Sequence, residues 1–474
     1  MSSPASTPCP DFTPFARQME AAGVAPASIS AFRRSYELLA KGETGQIPEN
    51  SILPVDDLPA APGILPDAAR TRWLLERTCL LKLNGGLGTG MGLDGPKSLL
   101  EIKEGLTFLD LICRQVENER RRFGALAFLL MNSFSTSAET LAFVRQKYPS
   151  LAGAHPTDFE LLQDKVPKVD AATLAPAQSP GDPDLAWCPA GHGALYAALS
   201  GSGRLAELLG RGIRYLFVSN ADNLGATLDL PLLDDFAASG APFLMEVTAR
   251  TAADRKGGHL CRDRATGHLR LREVAQCPAA DLAPFQDIGK HRFFNTNNLW
   301  IDLEQLRAAL EKQGGSIPLP VIFNTKTVDP RDSSSAKVIQ LETAMGAAIE
   351  AFDGARAVIV PRTRFLPVKT TNELLALRSD AYGLNAECEL RLETSSGEPP
   401  LVDLDPAHYK RIDQLDALTA IATPSLAACR RLQIKGPIVF DDDIIFEGEV
   451  EIINPSAERR QLPPGRYENR RVEV

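Results

Sequence analysis

Apolar residues recur at three- and four-residue spacing in FARQMEAAG (Phe15–Gly23) and in SISAFRRSYELLAKG (Ser28–Gly42). Each run stops at a glycine, so the chain opens with predicted helices over its first seventy or so residues. A proline-rich connector, ILPVDDLPAAPGILP, follows. From Arg77 onward short β-branched or leucine-rich runs (CLLKL, ALAFLLMNS, RYLFVSNADN) alternate with helical stretches (TFLDLICRQVENERRRFG, SAETLAFVRQKY). That alternation predicts parallel strands joined by crossover helices, an α/β domain. Between Thr157 and Pro189 a proline- and aspartate-rich segment reads as loops lying over the sheet. Near the end Leu432, Ile438, Ile444 and Val450 recur every six residues, with Gly436 and Gly448 between them. Coils of a parallel β-helix have this period, and a pair of antiparallel strands also fits so few repeats.

At 474 residues the chain exceeds what one hydrophobic core usually supports, which points to two or three domains. A net charge of −9 argues against a general nucleic-acid surface, so any anionic substrate must meet a local cationic pocket. The eight cysteines are widely spaced without a CxxC pair, which disfavours zinc sites and a disulfide framework and fits reduced thiols in a cytosol. No basic start runs into an apolar stretch, and no ~18-residue apolar run occurs, so neither a signal peptide nor a membrane span is expected.

The stretch LLKLNGGLGTGMGLDGPKS (Leu80–Ser98) approaches two phosphate-loop patterns and satisfies neither. Gly90, Gly92 and Gly95 spell GxGxxG, but NGGLGT separates the strand from the first of them, where the dinucleotide fingerprint needs glycine at the strand end. Gly90 to Ser98 nearly spells GxxxxGK[ST], but Pro96 stands before Lys97, removing an N–H and fixing φ where the helix should start. What remains is a long glycine-rich loop after a strand, able to lay N–H groups along a triphosphate and to present one ammonium at its end.

This loop resembles the GGxGT…PK loop of sugar nucleotidyltransferases. More narrowly, KLNGGLGTGMGLDGPKSLLEIKEGLTFLDL is similar to the eukaryotic-type UTP–glucose-1-phosphate uridylyltransferases. The resemblance continues through MNSFST, QDKVPK, GHGALY, FVSNADNLGA, KGGHL, FNTNNLWI, VIQLETAMGAAI and PRTRFLPVKTTNELL, from about Arg77 to Asp380. It implies a Rossmann-like nucleotidyltransferase fold: a central mixed, mostly parallel sheet flanked by helices. The expected division is 1–70 as a helical N-terminal region, 71–385 as the catalytic domain, and 386–474 as a C-terminal domain with a short left-handed β-helix. The implied reaction is attack by a glucose 1-phosphate oxygen on the α-phosphorus of UTP, releasing pyrophosphate, with Mg2+ as cofactor. A broader UDP-sugar or UDP-N-acetylhexosamine pyrophosphorylase, and a catalytically silent nucleotide-sugar binding protein, are the rival readings.

Both substrates are polyanions and the attacking phosphate is already ionised, so the chemistry asks for lysines, a magnesium ligand and hydrogen-bond donors, not a carboxylate pair. Resemblance marks Lys369 as the catalytic lysine and Lys97 as its partner on the UTP phosphates. The apolar neighbours Phe365, Leu366 and Val368 make Lys369 read as a strand-end lysine facing inward. Asp222 stands just past a buried-type strand, where open α/β sheets place ligands; a magnesium ligand and a helix N-cap both fit it, and resemblance favours the metal. His192, between Gly191 and Gly193, is positioned to donate to a phosphate, although lone histidines are more often structural. By resemblance Gln163, Met131 and the backbone at Leu83, Gly85, Gly86 and Gly191 read the uracil. In FNTNNLW, Asn295, Asn297 and Asn298 offer amides to sugar hydroxyls, with Asn295 and Asn297 on one face of a strand. Asn220, Gly258 and Glu273 are further expected glucose contacts. The terminal coils are the expected place for contact between copies, and neither nucleic acid nor membrane is expected as a partner.

Overall fold

The computed structural model describes residues 11–153, 155, 158–251 and 254–474. Its centre is a ten-stranded sheet. In chain order the strands are β1 (Ile52–Pro54), β2 (Thr78–Asn84), β3 (Ala127–Asn132), β4 (Glu160–Leu162) and β5 (Tyr215–Asn220). They continue as β6 (Phe243–Ala249), β7 (His259–Asp263), β8 (Leu269–Arg272), β9 (Phe293–Asp302) and β10 (Arg356–Ile359). β4, β3, β2 and β5 lie side by side and parallel. β9 then enters antiparallel, and β6 and β10 beyond it restore the first direction. The path across the sheet is therefore mixed and mostly parallel, as the alternation of strand and helix implies.

The period of two along each strand builds two cores. Tyr215 and Phe217 of β5 and Leu80 of β2 face one apolar cluster, whereas Leu216, Val218, Cys79 and Leu81 face another on the opposite side. Crossover helices such as Phe108–Phe123 cover these faces; Thr107 and Asp110 close a reciprocal capping box at its start.

The two N-terminal helices, Thr13–Ala21 and Pro26–Ala40, each carry proline at the first turn and pack Phe15, Met19, Phe32 and Tyr36 against Val166, Cys188, Val321 and Leu341. Helix ends at Ala40, however, and Ile52–Pro54 within the proline-rich connector pairs with β7 as an edge strand. Prolines are tolerated there because an edge strand leaves one row of N–H groups unpaired. A hairpin, Val321–Thr327 with Lys337–Thr343, runs under the loops that precede Gly191, and its last residue abuts that turn.

Among the described residues every inter-strand pairing from Leu401 onward is parallel, which selects the coiled reading of the six-residue period over the hairpin. Leu432 stands beside Val450 and Ile434 beside Ile452, eighteen residues further along, a coil of three six-residue sides. Leu432, Ile434, Ile438 and Phe440 are fully buried inside it. Gly436 turns one corner at φ 78°, where a Cβ would collide with the Asn454 carbonyl oxygen. Leu432→Ala is expected to cost about 3 kcal/mol, from lost burial plus a cavity the coil cannot close. Urea denaturation checks this; an unchanged midpoint would mean that the interior is not packed.

Candidate functional site

The carboxyl ends of β2, β3 and β5 converge on a cavity of about 290 Å³. Leu83 comes from the end of β2, Met131 from β3 and Asn220 from β5, with Asp222 on the turn that follows. Gly85 and Gly86 line it from the glycine-rich loop, Gln163 from the loop after β4, and Gly191 and His192 from the opposite wall. Lys97 and Ser98 close it from the far end of the loop. Seven nucleotide-site residues expected from the sequence, together with Lys97, Asn220 and Asp222, thus share one pocket.

The loop is held by its own backbone. Lys97 N–H donates to the Gly86 carbonyl at 3.0 Å and Met91 N–H to that of Gly88 at 2.9 Å. Gly88 sits at φ 64°, where a Cβ would press on Leu93 at 2.8 Å. Pro96 leads into a short turn, Lys97–Leu99, rather than an α-helix, so the loop forms neither of the two phosphate-loop wraps. From outside, the Ser133 hydroxyl donates to the Gly85 carbonyl at 2.9 Å. Beneath it a buried ladder runs from Asn84 Nδ2 to Asn132 Oδ1 (2.8 Å) and from Asn132 Nδ2 to Glu160 Oε1 (2.7 Å). Gly86 differs from its neighbours: nothing lies within 4 Å of a Cβ built there, so only what enters the cavity needs it to be small.

The Lys97 ammonium donates to Asp222 Oδ2 at 2.7 Å and to the Val368 carbonyl. Val368 N–H in turn donates to the Asp222 carbonyl at 3.2 Å. One cation therefore ties the loop after β2 to the turn after β5 and to the residue immediately before Lys369. Asp222 is not a helix N-cap; Asp229 caps the next helix by accepting from Leu232 N–H.

On the opposite wall, Met345 N–H donates to His192 Nδ1 at 3.0 Å. Nδ1 is therefore an acceptor, the ring proton sits on Nε2, and the imidazole is a neutral donor. Burial pushes its pKa down to about 4. The turn that carries it permits no side chain at its glycines: a Cβ on Gly191 would lie 2.6 Å from the Thr343 carbonyl oxygen, and one on Gly193 still closer to the Thr343 hydroxyl. Gln163 Nε2 donates to the Gly191 carbonyl at 2.7 Å, and its Oε1 lies over Gly85.

A second group of expected residues forms a separate wall beyond Asn220, outside the lining of this cavity. Asn297 Nδ2 donates to Asn220 Oδ1 at 3.0 Å and joins the two groups. Asn295 Oδ1 accepts from Asn297 N–H at 2.9 Å, and Asn295 N–H donates to Gly258 O at 3.2 Å. A Cβ on Gly258 would collide with the Glu273 carboxylate at 2.5 Å. The strand alternation expected for these asparagines does not hold through Asn297, which lies at φ 62° in the left-handed region. It sits where β9 changes neighbours on one side, from β5 at Leu299 to β7 at Phe294. Its Oδ1 is buried without a hydrogen-bond partner in the protein. Asn298 turns the other way: its Nδ2 donates to Glu246 Oε2 at 3.0 Å inside the core, so it offers no amide to this wall.

Lys369 corrects a second expectation. It is exposed, and it stands not at a strand end but just before the helix Thr371–Arg378, whose cap Thr370 shares the Glu373 carboxylate with Lys369 N–H. The apolar run before it is consumed by core contacts of Phe365 and Val368. The side chain lines a different cavity, of about 410 Å³, with Lys256 and Arg362, and is not in the lining of the first. Its charge reaches the second wall: burial raises the Glu273 pKa, and Lys369 pulls against that rise.

Several residues that shape the pocket carried no assignment from sequence. Ser98 Oγ is buried without a partner at the pocket lining, and its only signal was its place beside Lys97. Ser133, Thr343 and Met345 act through contacts across the fold, which no local pattern announces. Because the His192 proton sits on Nε2 and burial opposes a second one, its ring resonances should titrate near pH 4 in the free protein. The unfolded chain takes up that proton below about pH 6.5 and the native state does not, so this group makes stability fall as pH drops from there toward 4. Imidazole NMR checks it; titration near 6.5 would contradict the geometry.

Residues 29–447 match the family model described as UTP–glucose-1-phosphate uridylyltransferase. A UTP–glucose-1-phosphate uridylyltransferase of Saccharomyces cerevisiae is 41% identical over 394 residues, 82% of this chain and 77% of that protein. One of Astragalus penduliflorus is 38% identical over 417 residues, 87% and 85% of the two chains. Among solved structures, an L281D mutant of the Leishmania major UDP-glucose pyrophosphorylase in complex with UDP-glucose aligns with TM-score 0.93 at 45% identity, covering 100% of both chains. The Gly85–Lys97 loop, the Asp222 turn and the Lys369 segment all lie within the matched residues, and the chain belongs to the UTP–glucose-1-phosphate uridylyltransferase family.

Proposed function

We propose that this chain transfers the uridylyl group of UTP to glucose 1-phosphate, forming UDP-glucose and pyrophosphate. The observation that carries the reading is the Lys97 ammonium shared between Asp222 and the backbone that leads into Lys369, at the edge of a pocket built for a nucleotide. A sugar-phosphate oxygen forms a bond to the α-phosphorus as the bond to the β-phosphate oxygen breaks, and pyrophosphate leaves with that electron pair. The nucleophile is already anionic, so no protein base is required.

What the chain supplies is cationic and directional. Lys97 and Lys369 neutralise the phosphates, His192 donates from Nε2 to a phosphate oxygen, and loop N–H groups add fixed dipoles. Gly86 lets the backbone approach the ligand. Gln163, with its amide nitrogen already given to Gly191, offers Oε1 to the uracil N–H, while Leu83, Gly85 and Met131 pack near the ring. Asn220, Asn295, Asn297, Gly258 and Glu273 form the sugar wall; the unpartnered Asn297 Oδ1 calls for a hydroxyl donor. This wall favours a hexose, and the presence of Lys97, Lys369 and Asp222 speaks against a silent binding protein.

Magnesium fits the residues present in a limited way. Among the described residues no cluster of three or more His, Cys, Asp or Glu could hold an ion alone. Asp222 has one oxygen on Lys97 and, among the described residues, accepts no hydrogen bond at the other. A single carboxylate completed by phosphate oxygens and water is what magnesium takes, and the ion would neutralise phosphate charge. The free thiols of Cys79, Cys113, Cys188, Cys261, Cys277, Cys388 and Cys429 support a reducing, cytosolic setting. Among the described residues no helix is long and apolar enough to cross a membrane. Contact between copies is assigned to the terminal coils, where Arg471–Glu473 pairs only with Glu451–Ile453.

Pyrophosphate release from UTP, glucose 1-phosphate and magnesium tests the reading; no turnover with any sugar 1-phosphate would reject it. Lys369→Ala should lower kcat by about 10²–10³, the scale of losing one stabilising group on the transition state. Gly86→Ala should fold as the parent does and raise the UTP KM about tenfold, because its methyl meets only ligand. An unchanged KM would remove the loop from the nucleotide site.

A further inference from the structure

Asp222 and Asn223 are adjacent in sequence and have opposite surroundings. Asp222 faces the pocket, whereas Asn223 is 2% exposed and lines no part of it. Its Nδ2 donates to the Arg364 carbonyl at 3.1 Å and to Asn298 Oδ1 at 3.3 Å, and its Oδ1 accepts from Leu366 N–H at 2.8 Å. Its backbone pairs with Pro367 as an isolated antiparallel bridge. Together with the Val368 to Asp222 hydrogen bond, these contacts join residues 222–223 to the segment 364–368 along its whole length.

That segment is itself anchored from below. Glu246 is fully buried and accepts two hydrogen bonds from the Arg364 guanidinium, both at 2.7 Å. The same carboxylate accepts from Asn298 Nδ2 at 3.0 Å and from Trp300 Nε1 at 2.9 Å, which brings in the strand carrying the sugar-side asparagines. Lys82, also buried, holds the other side of the turn by donating to Ser219 Oγ at 2.7 Å and the Ala226 carbonyl at 2.6 Å. Buried charges arranged this way stay satisfied in one geometry only, so they specify position more than they add stability.

Resting on the uridylyl-transfer reading, we propose that Asn223 is a positioning residue: it fixes Asp222 relative to Lys369, with the Glu246–Arg364 pair as its support, and touches no substrate. Asn223→Ala leaves Leu366 N–H and the Arg364 carbonyl without this partner and frees the Lys369 segment to drift from the Asp222 turn. The residues that grip the nucleotide remain in place. A displacement of about 1 Å at such a site costs about 100-fold in rate.

The test pairs Asn223→Ala with Asn454→Ala in the full chain. Asn454 is equally buried and donates to two carbonyls, those of Pro437 at 2.6 Å and Glu458 at 2.7 Å, but it lies in the terminal coils. Asn223→Ala should lower kcat about 100-fold per folded molecule and change the UTP KM less than about threefold. Asn454→Ala should lose thermal stability and keep its kcat. In hydrogen exchange, Asn223→Ala should speed the Leu366 and Val368 amides and leave the Leu99 amide, bonded to Pro96, unchanged. A kcat for Asn223→Ala close to the parent's, or unchanged exchange at Leu366 and Val368, overturns the proposal. Absence of turnover in the parent would instead reject the uridylyl-transfer reading, and the exchange measurement would still decide the positioning.

Discussion

The architecture of the site depends on one ammonium group. Lys97 leaves the glycine-rich loop, reaches the Asp222 carboxylate at 2.7 Å, and also bonds the carbonyl before Lys369. Three segments separated by more than a hundred residues are thereby held at one point. The pair is partly shielded, with the lysine side chain 15% and the aspartate 23% exposed. An ion pair of that kind is stronger than a surface pair and avoids the full desolvation cost of a buried one. It also leaves both groups accessible to an incoming polyanion, which exchanges solvent for fixed charge.

Around that point the protein separates holding from contacting. Buried amides and charges hold: the Asn84–Asn132–Glu160 ladder beneath the loop, Glu246 with Arg364, Lys82 under the turn. Groups lining the pocket are left with capacity to spare, as with Asp222, the Nε2–H of His192 and Ser98 Oγ. Unmet hydrogen-bonding capacity in a partly buried wall is costly without a ligand and productive with one. A chain of net charge −9 must meet polyanions with local cations, which are Lys97 at the one cavity and Lys256, Arg362 and Lys369 at the other.

Much of this was legible in local sequence. Strand ends followed by glycine or by Asn-Ala-Asp mark the carboxyl edge of an α/β sheet; Pro96 ahead of Lys97 excludes the GxxxxGK[ST] wrap, and the NGGLGT spacer argues against the dinucleotide fingerprint. The six-residue period at the C-terminus left two readings open, and parallel pairing of Leu432 with Val450 chose between them. What local pattern missed depends on distant partners. Alternation placed Asn295 and Asn297 on one face, but β9 changes neighbours at that point and Asn297 takes a left-handed turn. Apolar neighbours made Lys369 look inward, yet Phe365 and Val368 are buried by the core and the lysine is left exposed. Nothing in Asp-Asn distinguishes a pocket residue from a buried one; the segment that arrives 140 residues later makes the difference.

On this reading the Lys97 ammonium organises the phosphate-transfer centre rather than decorating its rim. Single-turnover formation of UDP-glucose by Lys97→Met, followed by rapid quench with both substrates saturating, tests it most directly. A rate lower by about 10³ is expected, since one substitution removes a phosphate partner and unties the glycine-rich loop from the Asp222 and Lys369 segments. A rate within about tenfold of the parent's would contradict it.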